Sequence, residues 1–321
     1  MEVNYSFWSG KKVLISGHSG FKGSWLSIWL KSLGADVIGV SLDPPSIPSL
    51  YDKAHISDDI ISYRQDIRNL KGLIKIFQKY KPEIVFHLAA QSLVKYSYSN
   101  PIETYETNVM GTLNILEAIK NVGSVKAAIM VTSDKCYENT ERYEGYVEDD
   151  RMGGFDPYSS SKGASELLIS SYRNSFFTDI NLEKNITAVA SVRYGNVVGG
   201  GDWAQDRLIP DIIDAFQKKE KVMIRNPHAV RPWQHVLEPL SGYMRLAELL
   251  FNEGSTHAEA WNFGPNDEDA RPVEWIVKRI AYLWGDKSQW TMDKNFHEHE
   301  AAFLKLNCSK ACLLYTSPSP R

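Results

Sequence analysis

Tyr158 and Lys162 stand four residues apart in YSSSK, a spacing that puts both side chains on one face of a helix. A cation beside a phenol favours the phenolate, so Tyr158 is a candidate base near neutral pH. Upstream, GHSGFKG places Gly17, Gly20 and Gly23 directly after the apolar run VLIS and directly before the amphipathic run SWLSIWLKSLGA. Glycines in that context allow a tight turn and let a pyrophosphate approach the free amides of a helix N-terminus, with Phe21 and Lys22 in the same turn. A plain corner between strand and helix would carry the same glycines. Asp43 closes GVSLD, 26 residues after Gly17, where a carboxylate can accept from both ribose hydroxyls of an adenosine. A turn aspartate before proline would look alike. Pro44 and Pro45 follow with no neighbouring arginine. A 2′-phosphate would there meet repulsion without a compensating cation, which favours NAD over NADP.

The elements that would hold these residues can be read from the apolar runs. KKVLIS, DVIGVSL, IVFHLA, KAAIMVTS and TAVASVRYG alternate with longer helical patterns. That rhythm predicts a Rossmann-type α/β fold, a doubly wound parallel sheet covered on both faces. Beyond residue 195 the pattern loosens, with helices expected at 206–218, 238–251 and 272–285. The division expected is a dinucleotide-binding domain over 1–195, a smaller and mainly substrate-binding lobe over 196–311, and a tail over 312–321. Trp233 and Trp261 are read as core. The long polar stretch 139–157 is either a lid or a solvated connector. The tail, CLLYTSPSPR, drops the preceding pattern and reads as a truncation or a cloning scar.

Composition narrows the partners. The chain has 321 residues, a formal charge of −3 and 43% hydrophobic residues, which leaves no excess positive field for a nucleic acid. No run approaches 18 apolar residues, and the start lacks a basic segment followed by an apolar core. Cys136, Cys308 and Cys312 are too few for a disulfide framework, so a cytoplasmic protein is expected. Cys308 and Cys312 lack a second ligand pair, and His297 and His299 read as a solvated charged stretch, so no metal is expected. No GxSxG elbow is present, which argues against a hydrolase.

Several ordered motifs carry a resemblance: GHSGFKG, QDIRN, HLAAQS, TNVMGT, TSDKCY, YSSSK, RYGNVVGGGD and RPWQHV. With them the chain resembles the extended short-chain dehydrogenase/reductase family, in its branch of nucleotide-sugar 4,6-dehydratases, from about residue 8 to about residue 311. Most relatives in that branch carry Thr-Asp-Glu where this chain has Ser133, Asp134 and Lys135. With GHSGFKGSW, GNVVGGGDWAQDRLIPD and RPWQHVLEPLSGY, that departure resembles the CDP-sugar members more than the dTDP- or GDP-sugar members.

The resemblance implies an intramolecular redox dehydration of CDP-glucose that leaves NAD unchanged overall, in deoxysugar and O-antigen synthesis. It implies that Tyr158, supported by Lys162, takes the proton of the sugar 4-hydroxyl, and that Ser133 bonds the 4-oxygen. Asp134 would protonate the departing 6-hydroxyl. Lys135 would take the C5 proton or stabilise the enolate. Asp66 and Ile67 would meet the adenine, although Asp66 could instead cap the helix that begins near Asn69. Ala89, Ala90 and Thr107 would line the nicotinamide side. Asn196, Arg231 and, more weakly, Arg207 would hold the substrate diphosphate. A homodimer or homotetramer is implied too. A different nucleotide-sugar 4,6-dehydratase or a 4-epimerase on the same scaffold, and a non-catalytic dinucleotide-binding protein, are the competing readings.

Overall fold

The computed structural model describes residues 4–178, 187–266, 269–285, 289–293, 295 and 301–316. His297, His299 and the last five residues lie outside these. The central sheet is built from β1 (Lys12–Ser16), β2 (Asp36–Ser41), β3 (Ile61–Arg64), β4 (Ile84–His87), β5 (Ala127–Val131) and β6 (Ala188–Tyr194). Smaller strands follow: β7 (Asn196–Val198), β8 (Val222–Ile224) and β9 (Val230–His235). The chain then returns to the central sheet with β10 (Ala260–Phe263), before β11 (Ala270–Pro272) and β12 (Trp290–Met292).

The sheet order is β10-β6-β5-β4-β1-β2-β3, with every neighbouring pair parallel. Strand order reverses between β1 and β4. In such sheets the crevice beyond the carboxyl ends of these strands is where ligands bind. Alternation along the strands feeds two cores. Val13, Ile15, Ile84, Phe86, Ile129 and Val131 face the helices Phe21–Ser32 and Leu237–Glu253. Leu14, Val85, Ala128 and Met130 face the helices Leu70–Tyr80, Gly111–Val122 and Pro157–Phe176. Burying both faces is what makes the runs read as continuously apolar.

The five strands expected from apolar runs are present, and the three expected helices occur as Leu208–Gln217, Leu237–Glu253 and Val273–Trp284. Two strands of the central sheet were not anticipated. β3 is an edge strand with a largely exposed pattern, so ISYR shows no apolar run. β10 comes from the C-terminal half, which means residues 237–263 pack onto the dinucleotide-binding sheet rather than into the smaller lobe. That lobe has its own small core of Ile212, Phe216, Val222, Ile224 and Val277. Trp261 is buried in the main core as expected, whereas Trp233 is half-buried and lines a cavity.

The stretch 139–157 is pinned. Tyr146 pairs with Leu306 in a parallel bridge, Tyr137 with Met152 in an antiparallel one, and the Tyr137 and Tyr146 rings stack at 5.1 Å. No described helix is long and apolar enough to cross a membrane.

Candidate active site

A single cavity of about 870 Å³ opens at the carboxyl ends of β1, β4 and β5 and runs out between the sheet and the smaller lobe. Every candidate residue named from the sequence lines it except Lys162, which is buried on the Pro157–Phe176 helix. The physical reasons for this convergence differ from one part of the cavity to another.

The glycine turn is held by close approach. Gly17 has φ +81°, and a Cβ there would sit 2.6 Å from the Ala89 amide nitrogen. Gly23 lies against the turn itself: a Cβ would meet the Gly17 carbonyl oxygen at 2.0 Å. Gly20, the N-cap, has open space on its Cβ side apart from the Gly17 oxygen at 3.4 Å. The amides of Phe21, Lys22 and Gly23 therefore face a cradle with no side chain in it, and a pyrophosphate fits that cradle. Gly23→Ala is expected to destabilise by about 2–3 kcal/mol, because every clashing atom belongs to the backbone of Gly17 or His18, and to weaken dinucleotide binding in parallel. Thermal unfolding and dinucleotide titration would check this.

Lys22 behaves unlike its neighbours. Its Nζ donates to the Tyr243 hydroxyl at 3.1 Å and sits 3.0 Å from the centre of the Tyr194 ring. Burial pushes its pKa well down, helped by the charges of Lys162 and Arg207.

At the end of β2 the expectation of no arginine beside Asp43 is corrected. Arg64, at the end of β3, forms an ion pair with the Asp43 carboxylate, both side chains being exposed. The parallel register of β2 and β3 brings the two strand ends together, which local sequence cannot show. Asp66 does not cap the following helix. Asn69 does, accepting from the Gly72 amide at 3.0 Å, while Asp66 chelates the Arg68 guanidinium at 2.7–3.2 Å. Ile67 packs on Gly111. Ala89, Ala90 and Thr107 line the cavity between these groups and the Tyr158 side.

The Pro157–Phe176 helix begins with Asp156 as N-cap, accepting from the Ser159 amide at 2.9 Å, and Pro157 at its first position. This start aims Tyr158 into the cavity. Burial pushes the Tyr158 phenol well up, Tyr194 adds to the rise, and a hydrogen bond from Ser133 and the charge of Arg207 oppose it. Lys162 is pulled down to about 8 by burial, with Glu166 opposing. The polypeptide alone therefore keeps Tyr158 protonated; a positive ring bound beside it would lower the phenol further.

Ser133 Oγ donates to Asp134 Oδ1 at 3.0 Å and accepts from the Lys135 amide at 3.2 Å. Asp134 is buried, and its Oδ2 has no hydrogen-bond partner among the described residues. Burial raises the Asp134 pKa against the pull of Lys135, Ser133 and Arg231. Burial outweighs the three opposing groups, so the Asp134 carboxyl holds its proton to a higher pH than an ordinary aspartate. Arg231 is buried on β9 and donates to the carbonyls of Ala301, at 2.6 Å, and Val230, at 2.9 Å. Arg207 spans the cleft from Asp202, at 2.9 Å, to Ser92, at 3.1 Å. Asn196 lines the same wall on β7.

Sequence reasoning missed Asn108 as an individual residue. It sits in a π-turn, Glu106–Met110, inside the TNVMGT motif. Its amide donates to Ser161 Oγ at 2.8 Å and to the Gln91 carbonyl at 3.0 Å, tying the HLAAQS loop to the tyrosine helix. Interruptions of this kind cluster at functional sites. Among the described residues no group of three His, Cys, Asp or Glu side chains could hold a metal ion.

A parallel sheet with a glycine cradle at its switch point and a tyrosine, a lysine and a buried carboxyl group around one cleft is the arrangement of a dinucleotide-dependent sugar-modifying enzyme. The chain belongs to the family described as GDP-mannose 4,6 dehydratase, which it matches over residues 14–261. More particularly, it is 55% identical over 309 residues to the CDP-glucose 4,6-dehydratase of Salmonella typhimurium, covering 96% of this chain and 86% of that one. The fold is shared with the dTDP-glucose 4,6-dehydratase of Bacillus anthracis, solved in complex with NAD, at TM-score 0.77 and 20% identity over 95% of this chain and 90% of that one. It is shared also with the UDP-glucuronic acid 4-epimerase of Bacillus cereus, at TM-score 0.79 and 22% identity over 97% and 95%.

Proposed function

We propose that this chain is an NAD-dependent dehydratase that converts CDP-D-glucose to CDP-4-dehydro-6-deoxy-D-glucose and water. Asp134 Oδ2 carries the reading: a buried carboxyl oxygen with no hydrogen-bond partner among the described residues, its pKa raised by burial, in the cavity that receives Tyr158. An epimerase uses the tyrosine but needs no acid for the sugar 6-hydroxyl. The extent of identity to the Salmonella enzyme supports CDP-glucose as the substrate.

NAD, bound along the glycine cradle and the Asp43 and Asp66 side, supplies a hydride acceptor for sugar C4 and a hydride donor for C6. The residues handle the protons. Tyr158 takes the proton of the 4-hydroxyl while Ser133 hydrogen-bonds that oxygen. The resulting ketone acidifies the C5 proton, whose removal makes an enolate. Asp134 gives its proton to the 6-hydroxyl, which leaves as water as the C5–C6 double bond forms. Lys135 serves the C5 side, as base or as the cation beside the enolate. Exchange at C5 in Lys135→Met separates these: lost exchange identifies the base, and slowed exchange the cation. Arg231, Asn196 and Arg207 hold the diphosphate from the smaller lobe, arginine forks matching its oxygens.

The substrate decides the reading. Incubation with CDP-glucose and NAD in heavy water is expected to give a 4-keto-6-deoxy sugar carrying deuterium at C5, and CDP-glucose to outrun dTDP-, GDP- and UDP-glucose. An unlabelled galacto isomer would reject the dehydratase. For the cofactor, the Asp43 carboxylate disfavours a 2′-phosphate while it occupies Arg64. Asp43→Ser is expected to shift the affinity ratio toward NADP by about tenfold, read by calorimetry, since it frees a guanidinium at the place a phosphate would occupy.

The reading extends to a cytoplasmic homo-oligomer. The low count of three cysteines fits a reducing compartment. Exposed Ile102, Tyr105, Met110 and Leu167 lie on the two helical stretches around TNVMGT and YSSSK, where a second copy would cover them.

A further inference from the structure

One turn beyond Lys162, on the same face of its helix, Glu166 is buried and sits outside the chemistry so far assigned. Its Oε1 accepts from Thr132 Oγ1 at 2.5 Å, and its Oε2 accepts from Ser191 Oγ and Arg193 Nη2, each at 2.8 Å. Thr132 immediately precedes the Ser133-Asp134-Lys135 segment. Arg193 carries the contact onward, donating through Nη1 to the Tyr137 hydroxyl at 2.7 Å and to the Glu148 carbonyl at 2.8 Å. Tyr137 in turn donates to Asn262 Oδ1 at 2.7 Å, and the Asn262 amide reaches the Tyr146 carbonyl at 2.8 Å. One buried network thus grips both ends of the segment that bears Ser133, Asp134 and Lys135, and ties it to the helix of Tyr158 and to the pinned stretch 139–157.

A buried ion pair is a poor device for stability alone, because desolvation offsets the attraction and apolar replacements of like volume do as well. A pair placed here has another use. We infer that Glu166, held by Arg193, is a positioning residue of the reaction: it fixes the Thr132–Tyr137 segment against the tyrosine helix and sets a carboxylate one helical turn from Lys162. The inference rests on the dehydratase reading for its kinetic consequence, although not for its electrostatic one.

The groups facing Lys162 are few. Glu166 and Tyr158 lie on its own helix, Cys136 comes from the turn after β5, His87 from β4 and Lys22 from the glycine helix. His87 is neutral, its pKa lowered to about 3 by burial, and Cys136 is kept a thiol by burial, so at neutral pH Glu166 is the anion of this set. Removing that charge lowers the Lys162 pKa from its present value near 8, so that less of the lysine is charged at neutral pH.

Glu166→Gln, and Glu166→Gln combined with Arg193→Met, test this. In Glu166→Gln the alkaline limb of kcat is expected to move about one pH unit lower, with KM for CDP-glucose within about threefold of the parent. The double variant, free of the orphaned guanidinium, is expected to regain its melting temperature and keep the shifted limb. Glu166→Asp, which retains the charge, is expected to keep the parent limb. The Cε shift of Lys162 in carbon-13 lysine-labelled protein, assigned by its loss in Lys162→Arg, follows the same titration without turnover. Failure of the dehydratase reading would leave that titration shifted. The inference is overturned if the Lys162 titration in Glu166→Gln matches the parent. It is overturned also if the double variant recovers the parent pH limb with its stability, or if neither variant folds, each of which would assign the pair to stability alone.

Discussion

Replacing Asp134 by asparagine is expected to leave an enzyme that oxidises its sugar and then stalls. Asparagine has the same shape and still accepts from Ser133, so the 4-hydroxyl can be oxidised as before, and a burst of absorbance at 340 nm should appear in a single turnover. What it cannot do is give a proton to the departing 6-hydroxyl. Loss of a general acid costs on the order of 10²–10⁴ in rate, so kcat for the 4-keto-6-deoxy product should fall by about 10³ while the burst persists. Stability should not fall with it. A carboxyl whose folded pKa is raised binds more protons in the folded than in the unfolded state, and so loses stability as pH rises through the folded value. Burial raises Asp134, so at pH 7 a neutral amide removes a cost, and the melting temperature should hold or rise. A variant that kept kcat within tenfold of the parent, or lost the burst along with turnover, would remove Asp134 from the elimination step.

The parts legible in the sequence were those whose signal is local. Apolar runs gave the five inner strands, because a parallel strand covered on both faces has no polar positions to break the run. Gly17, Gly20 and Gly23 were legible because strand, turn and helix are contiguous. Tyr158 and Lys162 were legible because helical spacing is local too. What escaped was long-range. ISYR looks unlike a strand since its edge position leaves its side chains in water, and Arg64 at its end reaches Asp43 only through strand pairing. Glu166 and Arg193 are charged residues that sequence patterning assigns to the surface, yet each is nine-tenths or more buried because its partner is buried beside it. Asn108 was visible as a letter in a motif, while its two donor bonds depend on a π-turn that no propensity announces. The direction of the Asp134 pKa likewise needed burial to be weighed against three opposing groups.

Tyr158→Phe is expected to remove the first step rather than the last. Phenylalanine fills the same buried volume and removes only the hydroxyl, so the fold should persist with no proton acceptor over the sugar 4-hydroxyl. Turnover should fall by about 10³ or more, and the 340 nm burst should vanish with it, which sets this variant apart from Asp134→Asn. The pH dependence of the parent follows from the lysine. Burial depresses Lys162 to about 8, so its charge is present below that value and disappears as pH rises through it. A phenolate beside a neutral lysine loses its counter-charge, and the parent rate is expected to decline above about pH 8. In Tyr158→Phe the residual rate should lose that limb, since no phenolate remains for Lys162 to support. A burst retained in Tyr158→Phe would mean that another group, Ser133 or a water, takes the 4-hydroxyl proton. A parent profile flat through pH 9 would mean that the charge on Lys162 does not govern the oxidation.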